Sequence, residues 1–312
     1  MDEIILPGPI SKGAKIAVIS PAGSVEVSQL ELGLEMLRHQ GLEPVLGKYL
    51  YQKFTNGYHY AGTEKERLKD LNWALNDPEI SAVWASRGGY GCQHLLKGVT
   101  LREFQHQPKW YIGYSDNTVI QSFLLKYGFA SIHGQTIKTS SFGVTEESYS
   151  GIFQILEGER PNYTFPSDPL NRKGRAGGEL VGGNLALIYA LLGTKYSFRF
   201  KDKILFIEDI GEQYYALDRM MMSLDLAGVF KKISGLVVGG MTNMGDEKTN
   251  KGYNESFDQK AFEIIAERIS KFDFPVAFGF PNGHIKDNRP LIIGANVDLN
   301  VGSKQSELIF KK

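Results

Sequence analysis

Ser115 stands in Lys109-Trp110-Tyr111-Ile112-Gly113-Tyr114-Ser115-Asp116-Asn117-Thr118, an apolar run that ends in a small polar turn from which a helical pattern begins. A hydroxyl at such a junction lies beside a helix N-terminus, where outward-pointing N–H groups and the helix dipole favour negative charge. Two roles fit it. As a nucleophile, Ser115 has the Asp116 backbone N–H as an oxyanion donor, and Gly113 gives the turn room. As an N-cap, it is the residue type that helix starts routinely select. The pattern Gly-x-Ser-x-Asn meets only half of the Gly-x-Ser-x-Gly elbow signature.

Arg87-Gly88-Gly89-Tyr90-Gly91 offers a second set of groups at the end of another buried run. Consecutive glycines let backbone N–H groups approach a ligand closely, which suits Gly89 as a second oxyanion donor. The Arg87 fork matches a substrate carboxylate, with Gly88 beside it. A Gly-rich turn or a surface charge accounts equally well for these residues. No Gly-Lys-Ser/Thr follows, so a phosphate loop is not expected. Cys92, directly after the loop, reads as a small buried hydrophobe at a helix start rather than as a rival nucleophile.

A serine nucleophile needs a base. Of the six histidines, His39, His59, His94 and His106 fall on expected helices or surface loops, whereas His133 and His284 sit at strand ends beside a glycine. Either could serve. Ile207-Glu208-Asp209 puts two carboxylates at the mouth of a buried strand, and either one could fix an imidazole tautomer. The alternative is a pair of acids placed for a helix dipole. The order Ser, acid, His is that of α/β-hydrolases, although the same constellation occurs in other orders. There is no His-x-x-x-His pair and no cluster with ligand spacing, so neither a metal nor another cofactor is expected.

These residues need strands to carry them. Lys15 to Ser20, Ser81 to Ser86 and Trp110 to Tyr114 are short β-rich runs typical of strands buried on both faces. Helical patterns follow Ser24, from Thr63 to Leu75 with a Thr63/Glu66 capping box, and after Ser115. Strand, loop, helix and strand in repetition predict a parallel α/β sheet. Ligands of such sheets sit outside the carboxyl ends of the strands, so Pro21-Ala22-Gly23, Arg87-Gly88-Gly89, Ser115 and His133 converge on one crevice. From about 140 to 177 Gly, Pro, Asn and Lys are frequent and periodicity fades, which reads as a linker. It divides residues 1–165 from a second unit at 176–312, with strands at Lys203–Ile207, Gly235–Val238, Pro275–Phe280 and Pro290–Ile293. That unit also carries a polar loop through Tyr253 and a helix from Ser256 to Ile269.

The chain has 312 residues, enough for one large or two moderate domains. Its 35 basic and 35 acidic residues cancel and form no basic stripe, so nucleic acid is not an expected partner. One cysteine rules out an intrachain disulfide and a cysteine zinc cluster. No apolar run reaches bilayer length, so no membrane association is expected. The N-terminus has no secretory pattern, and a cytoplasmic location is the expectation.

Six segments in order give the chain a family likeness. They are Ile19-Ser20-Pro21-Ala22-Gly23, Ser86-Arg87-Gly88-Gly89-Tyr90-Gly91, Gly113-Tyr114-Ser115-Asp116-Asn117-Thr118, Gly182-Gly183-Asn184-Leu185, Ile207-Glu208-Asp209 with Tyr215-x-x-Asp218-Arg219-Met220, and Gly283-His284. With these the chain resembles, nearly end to end, the LD-carboxypeptidase family of serine peptidases, which includes muramoyltetrapeptide carboxypeptidases and microcin-immunity peptidases. The resemblance implies an N-terminal flavodoxin-like α/β domain, a C-terminal mixed β/α domain, and a site between them. It implies a catalytic triad of Ser115, Glu208 and His284, with Gly89 and Asp116 as backbone oxyanion donors. It further implies a homodimer that takes a small peptide or muropeptide and releases terminal D-alanine from murein tetrapeptide, as in cytoplasmic peptidoglycan recycling. The alternatives are hydrolysis of peptidyl or aminoacyl-nucleotide antibiotics, or a two-domain binding protein that does not react. Pro290-Leu291-Ile292 stands where the family commonly has Leu-Pro. In the immunity peptidases an aromatic residue near the end of the Gly-Gly-Asn-Leu helix helps hold a nucleotide-like group; here that helix ends in Leu191-Leu192-Gly193-Thr194, without Trp, and this leans toward murein peptides.

Overall fold

The first sheet is built from strands whose β-branched and small residues are covered on both faces, as a parallel sheet between helices requires. Its elements run β1 (Lys15–Ile19), α1 (Glu31–His39), β2 (Glu43–Leu46), the ribbon β3 (Phe54–Thr55) and β4 (His59–Tyr60), α2 (Glu64–Asn76) and β5 (Ile80–Ala85). They continue with α3 (Cys92–Leu95), β6 (Trp110–Gly113), α4 (Thr118–Lys126) and β7 (Ser131–His133). Strands β2, β1, β5, β6 and β7 lie side by side in that order, all parallel. At the start of α2 the capping box closes: the Glu66 N–H donates to Thr63 Oγ1 at 3.3 Å, and the Thr63 N–H to Glu66 Oε2 at 2.8 Å. The structure is a computed structural model and describes residues 4–245 and 257–311.

The span from 140 to 177, expected as a linker, is instead built. Within it lie α5 (Glu146–Leu156) and β8 (Asn162–Pro166). Tyr149, Ile152, Phe153 and Leu156 recur at helical spacing and are buried, a signal hidden by the Gly- and Pro-rich residues on either side. β8 takes the edge of the second sheet, where Pro166 costs no ladder bond.

The second sheet follows with β9 (Gly174–Asn184), α6 (Leu185–Leu191), β10 (Lys203–Ile210), α7 (Tyr214–Leu226), β11 (Gly235–Thr242), α8 (Gln259–Arg268) and β12 (Val276–Phe278). Then come β13 (Leu291–Ile293), β14 (Asn296–Val301) and β15 (Gln305–Phe310). Its order is β12-β11-β10-β9-β14-β15-β8, parallel from β12 to β9 and antiparallel beyond. The fold is therefore two-domain α/β, a parallel-rich sheet followed by a mixed one. The helix expected from Ser256 begins at Gln259, and Tyr253 and Ser256 themselves lie outside the described residues.

One strand changes sides. β13, expected within the second unit, pairs antiparallel with β7 at the edge of the first sheet, Leu291 opposite His133. Hydrophobic packing follows the same route, since one buried cluster holds Trp84 and Trp110 of the first sheet with Phe206, Phe278 and Leu308 of the second.

Close backbone approach in the second sheet generates a test. Gly182 has φ +128°, and a Cβ there would lie 1.9 Å from the Phe206 carbonyl oxygen; Gly193 has φ +74° with nothing within 4 Å. Gly193→Ala should cost about 1 kcal/mol, the backbone strain alone. Gly182→Ala should cost more than about 3 kcal/mol, because the neighbouring strand must also move. Urea unfolding of the two variants measures the difference, and equal losses would refute the assigned strand contact.

Candidate active site

Ser115 occupies a single 3-10 turn, Ser115–Asn117, between β6 and α4, with φ +62°. A non-glycine residue in the left-handed region is strained by about 1–2 kcal/mol and persists only when its surroundings hold it. Neither the turn nor α4 begins with a side-chain cap bond, so the Ser115 hydroxyl is not serving as a cap. What holds the turn is the buried Asn117. Its amide donates to the Tyr114 carbonyl at 3.0 Å and its oxygen accepts from the Tyr111 hydroxyl at 2.6 Å. Gln121 secures the strand beneath, donating to the carbonyls of Gly113 and Ile132.

The Gly-rich loop after β5 lies directly against this turn. A Cβ at Gly88 would sit 2.8 Å from Ser115 Cβ and 3.0 Å from its Oγ, so only glycine fits there. Gly89 has φ +114°, again a glycine conformation.

His284 and Glu208 meet in the same region. The His284 Nδ1–H donates to Glu208 Oε2 over 2.7 Å, with the carboxylate wholly buried and the imidazole 10 % exposed. The Tyr114 ring, one residue before Ser115, packs against the His284 ring at 4.9 Å between centroids. A Cβ at Gly283 would lie 2.9 Å from both Glu208 Cβ and Oε2, which is why glycine precedes the histidine. Burial opposes charge on both partners, but each is outweighed by the other. Glu208 is held below the ordinary carboxylate range by the imidazolium and their hydrogen bond, and His284 is raised above the ordinary imidazole value by the carboxylate.

The other candidates lie elsewhere in the hydrogen-bond pattern. Asp209, on the opposite face of β10 from Glu208, accepts from Asn184 Nδ2 at 2.9 Å and from the Ala186 N–H at 2.9 Å, so it secures the start of α6. Burial and then the Glu208 charge push its carboxyl up to about 7. His133 lies inside β7, fully buried, with Nδ1 3.3 Å from Gln121 Oε1, and burial depresses its ring to about 4. The Cys92 thiol is buried and raised well above its ordinary value, first by burial and then by the Asp116 charge. His39, His59, His94 and His106 are exposed. Arg87 is half-buried, and its Nη1 donates to the Ser24 carbonyl at 3.0 Å, fastening the turn after β1. Among the described residues no three His, Cys, Asp or Glu side chains gather as a metal site, and no helix is long and apolar enough to cross a membrane.

Three residues near the site escape the sequence reading. Tyr58 places its hydroxyl 2.1 Å from where a Gly89 Cβ would be, directly over the Gly-rich loop. Tyr114 supplies the ring against His284. Arg67 is buried on the inner face of α2, in phase with Leu71 and Ala74. Its helical phase alone could have revealed a charge turned toward the core.

A hydroxyl in a strained turn, glycine-loop amides beside it, and an imidazole whose tautomer is fixed by a buried carboxylate are the components of nucleophilic acyl transfer. The chain belongs to the LD-carboxypeptidase family: the family's N-terminal domain matches residues 16–134 and its C-terminal domain residues 177–299. Among its relatives is a probable murein peptide carboxypeptidase of Bacillus subtilis, 33 % identical over 306 residues, covering 96 % of this chain and 92 % of that protein. The murein tetrapeptide carboxypeptidase of Pseudomonas aeruginosa is 30 % identical over 287 residues, covering 88 % of this chain and 89 % of that one. The crystal structure of muramoyltetrapeptide carboxypeptidase from Oxalobacter formigenes superposes with a TM-score of 0.83 at 26 % identity, over 96 % of this chain and 99 % of that one.

The division between the two acids is testable without a substrate. Asp209→Ala leaves the Asn184 amide and the Ala186 N–H without their acceptor and should destabilise the protein by about 2–3 kcal/mol. Urea unfolding at pH 7 reads this directly. Unchanged stability would show that Asp209 does not anchor α6.

Proposed function

We propose that the protein is a serine carboxypeptidase that cleaves an L,D-peptide bond and releases the terminal D-alanine of a murein tetrapeptide. The observation that carries this reading is a serine at φ +62° whose chain neighbour, Tyr114, packs its ring against the imidazole of a buried carboxylate–imidazole pair. Ser115 Oγ attacks the scissile carbonyl while His284, through Nε2, takes its proton. Glu208 holds the resulting imidazolium, and the amide N–H groups of Gly89 and Asp116 donate to the oxyanion. His284 then returns the proton to the departing amine of D-alanine. Water attacks the acyl-serine by the same proton route, and the tripeptide leaves. A carboxypeptidase must also recognise a free carboxylate. Arg87, one residue from the Gly88 that touches Ser115, supplies a positive charge for it. Lys138 stands near it: burial and then the Arg87 charge hold its ammonium below the ordinary value, so two cations share this region. The names of the relatives support murein peptide as the substrate class.

Mass spectrometry of purified protein with murein tetrapeptide should show tripeptide and free D-alanine, and Ser115→Ala should lower kcat by about 10⁴-fold or more. Release of D-alanine by Ser115→Ala at the wild-type rate overturns the nucleophile. Turnover of an aminoacyl-sulfamoyl-adenosine with no D-alanine release overturns the substrate.

The pH profile tests the base. His284 must be neutral to accept a proton, and its pKa lies above the ordinary value, about 6.5. The acid limb of kcat/KM should therefore have its midpoint above about 6.5. Glu208→Gln removes the interaction that raises His284 and leaves burial, so the limb should move below that value while the plateau falls. A limb that stays in place would remove Glu208 from the role.

A further inference from the structure

The peptide group joining Gly91 to Cys92 is gripped from both sides by buried charged side chains. Its carbonyl accepts from Arg67 Nη1 at 2.8 Å, and its N–H donates to Asp116 Oδ2 at 2.8 Å. Arg67 is 3 % exposed and Asp116 fully buried. The same Arg67 nitrogen donates to the Pro21 carbonyl at 2.7 Å, and the guanidinium lies over the Tyr60 ring at 5.0 Å. One cation thus ties the loop after β1 to the loop after β5. One anion, a single residue beyond Ser115, ties the loop after β5 to the turn after β6.

We propose that Arg67 and the Asp116 carboxylate are positioning residues that set the spacing between the two oxyanion donors, the amides of Gly89 and Asp116. The inference rests on the nucleophile reading of Ser115. The loop needs such a fastening. Gly89 and Gly91 have φ of +114° and +130°, and Gly88 must be glycine to clear Ser115, so the segment has few conformational restraints of its own. An oxyanion donor works only if it is already aimed at the position the developing charge will occupy. Asp116 is assigned both jobs with different atoms: its N–H as the second oxyanion donor, and its carboxylate as the acceptor that holds the Cys92 N–H, three residues after Gly89.

The step to measure is phosphonylation of Ser115 by a fluorophosphonate. Fluoride leaves, the phosphorus binds Ser115 Oγ, and the phosphonyl oxygen enters the oxyanion site whatever the natural substrate. Asp116→Ala should lower the second-order labelling rate by about thirtyfold or more. Asp116→Asn, which keeps an accepting oxygen, should recover most of that loss, and Arg67→Met should lower the rate in the same direction. On a turned-over substrate the loss should appear in kcat with KM within about threefold, whereas a general loss of fold would lower the cooperativity of urea unfolding instead. Labelling of Asp116→Ala at the wild-type rate overturns the proposal, as does equal impairment of the Asn and Ala variants. Wild-type protein that resists the reagent overturns the proposal and the nucleophile together. Wild-type protein that labels but releases no D-alanine overturns only the substrate, and the variants still decide the clamp.

Discussion

Glu208 is held below the ordinary carboxylate range with none of its surface open to water, and the arrangement of both sheets can be read from how that is tolerated. An uncompensated charge so buried costs several kcal/mol. Compensation comes chiefly from His284, through a charge-assisted bond to one carboxylate oxygen. The His133 ring and the Asn184 amide add lesser contributions, so the carboxylate depends chiefly on the His284 imidazole. The dependence runs both ways. While the carboxylate accepts from Nδ1, the neutral imidazole is confined to the tautomer that carries its proton on Nδ1 and its lone pair on Nε2.

Bringing that imidazole to Glu208 is a problem of chain path. The histidine lies between β12, in the second sheet, and β13, which pairs with β7 in the first. The segment therefore bridges the two sheets instead of hanging from one. It is pinned along its length: Asn282 donates to the Arg289 carbonyl at 2.6 Å, and the Gly240 N–H donates to the Asn282 carbonyl at 2.8 Å. Ser148 donates to the Lys286 carbonyl and accepts from the Asn288 N–H. Ser148 belongs to α5, the helix inside the stretch that reads as a linker. A helix without a chemical group beside Glu208 thus fixes the loop that carries His284.

The legible part of the molecule was what repeats or interrupts a local pattern. Strands such as Lys15–Ile19 and Trp110–Gly113 declare themselves by composition, and Thr63 with Glu66 declares a helix start. Parallel strands bring Ser115 and the Gly-rich loop to one edge of the sheet, and the pairing of β5 with β6 sets them side by side. Glu208 and Asp209 were not separable by type. Strand alternation puts them on opposite faces, but which face meets the imidazole depends on β10 continuing to Ile210 and on a partner 76 positions away. His133 and His284 were equally ambiguous, since a strand end beside a glycine says nothing about whether the ring lies inside the sheet. The pairing of β13 with β7 is a long-range choice that no local propensity records. Arg67 was visible in principle, because its helical phase is that of the core.

The half-met signature around Ser115 has a physical reading as well. In the Gly-x-Ser-x-Gly elbow, small residues two places either side of the nucleophile let strand and helix approach closely enough to force its backbone into a strained turn. Here only the preceding position is glycine. A Cβ at Gly113 would lie 2.8 Å from Asn117 Cγ, so the space vacated on one side is filled by the side chain on the other. Asn117 then uses that space for hydrogen bonds: its amide donates to the Tyr114 carbonyl, and its oxygen accepts from the Tyr111 hydroxyl. Close approach through two glycines is replaced by one glycine and a buried amide fastened to the residue before Ser115. The strain at Ser115 does not depend on the missing glycine, because Asn117 holds the turn from within.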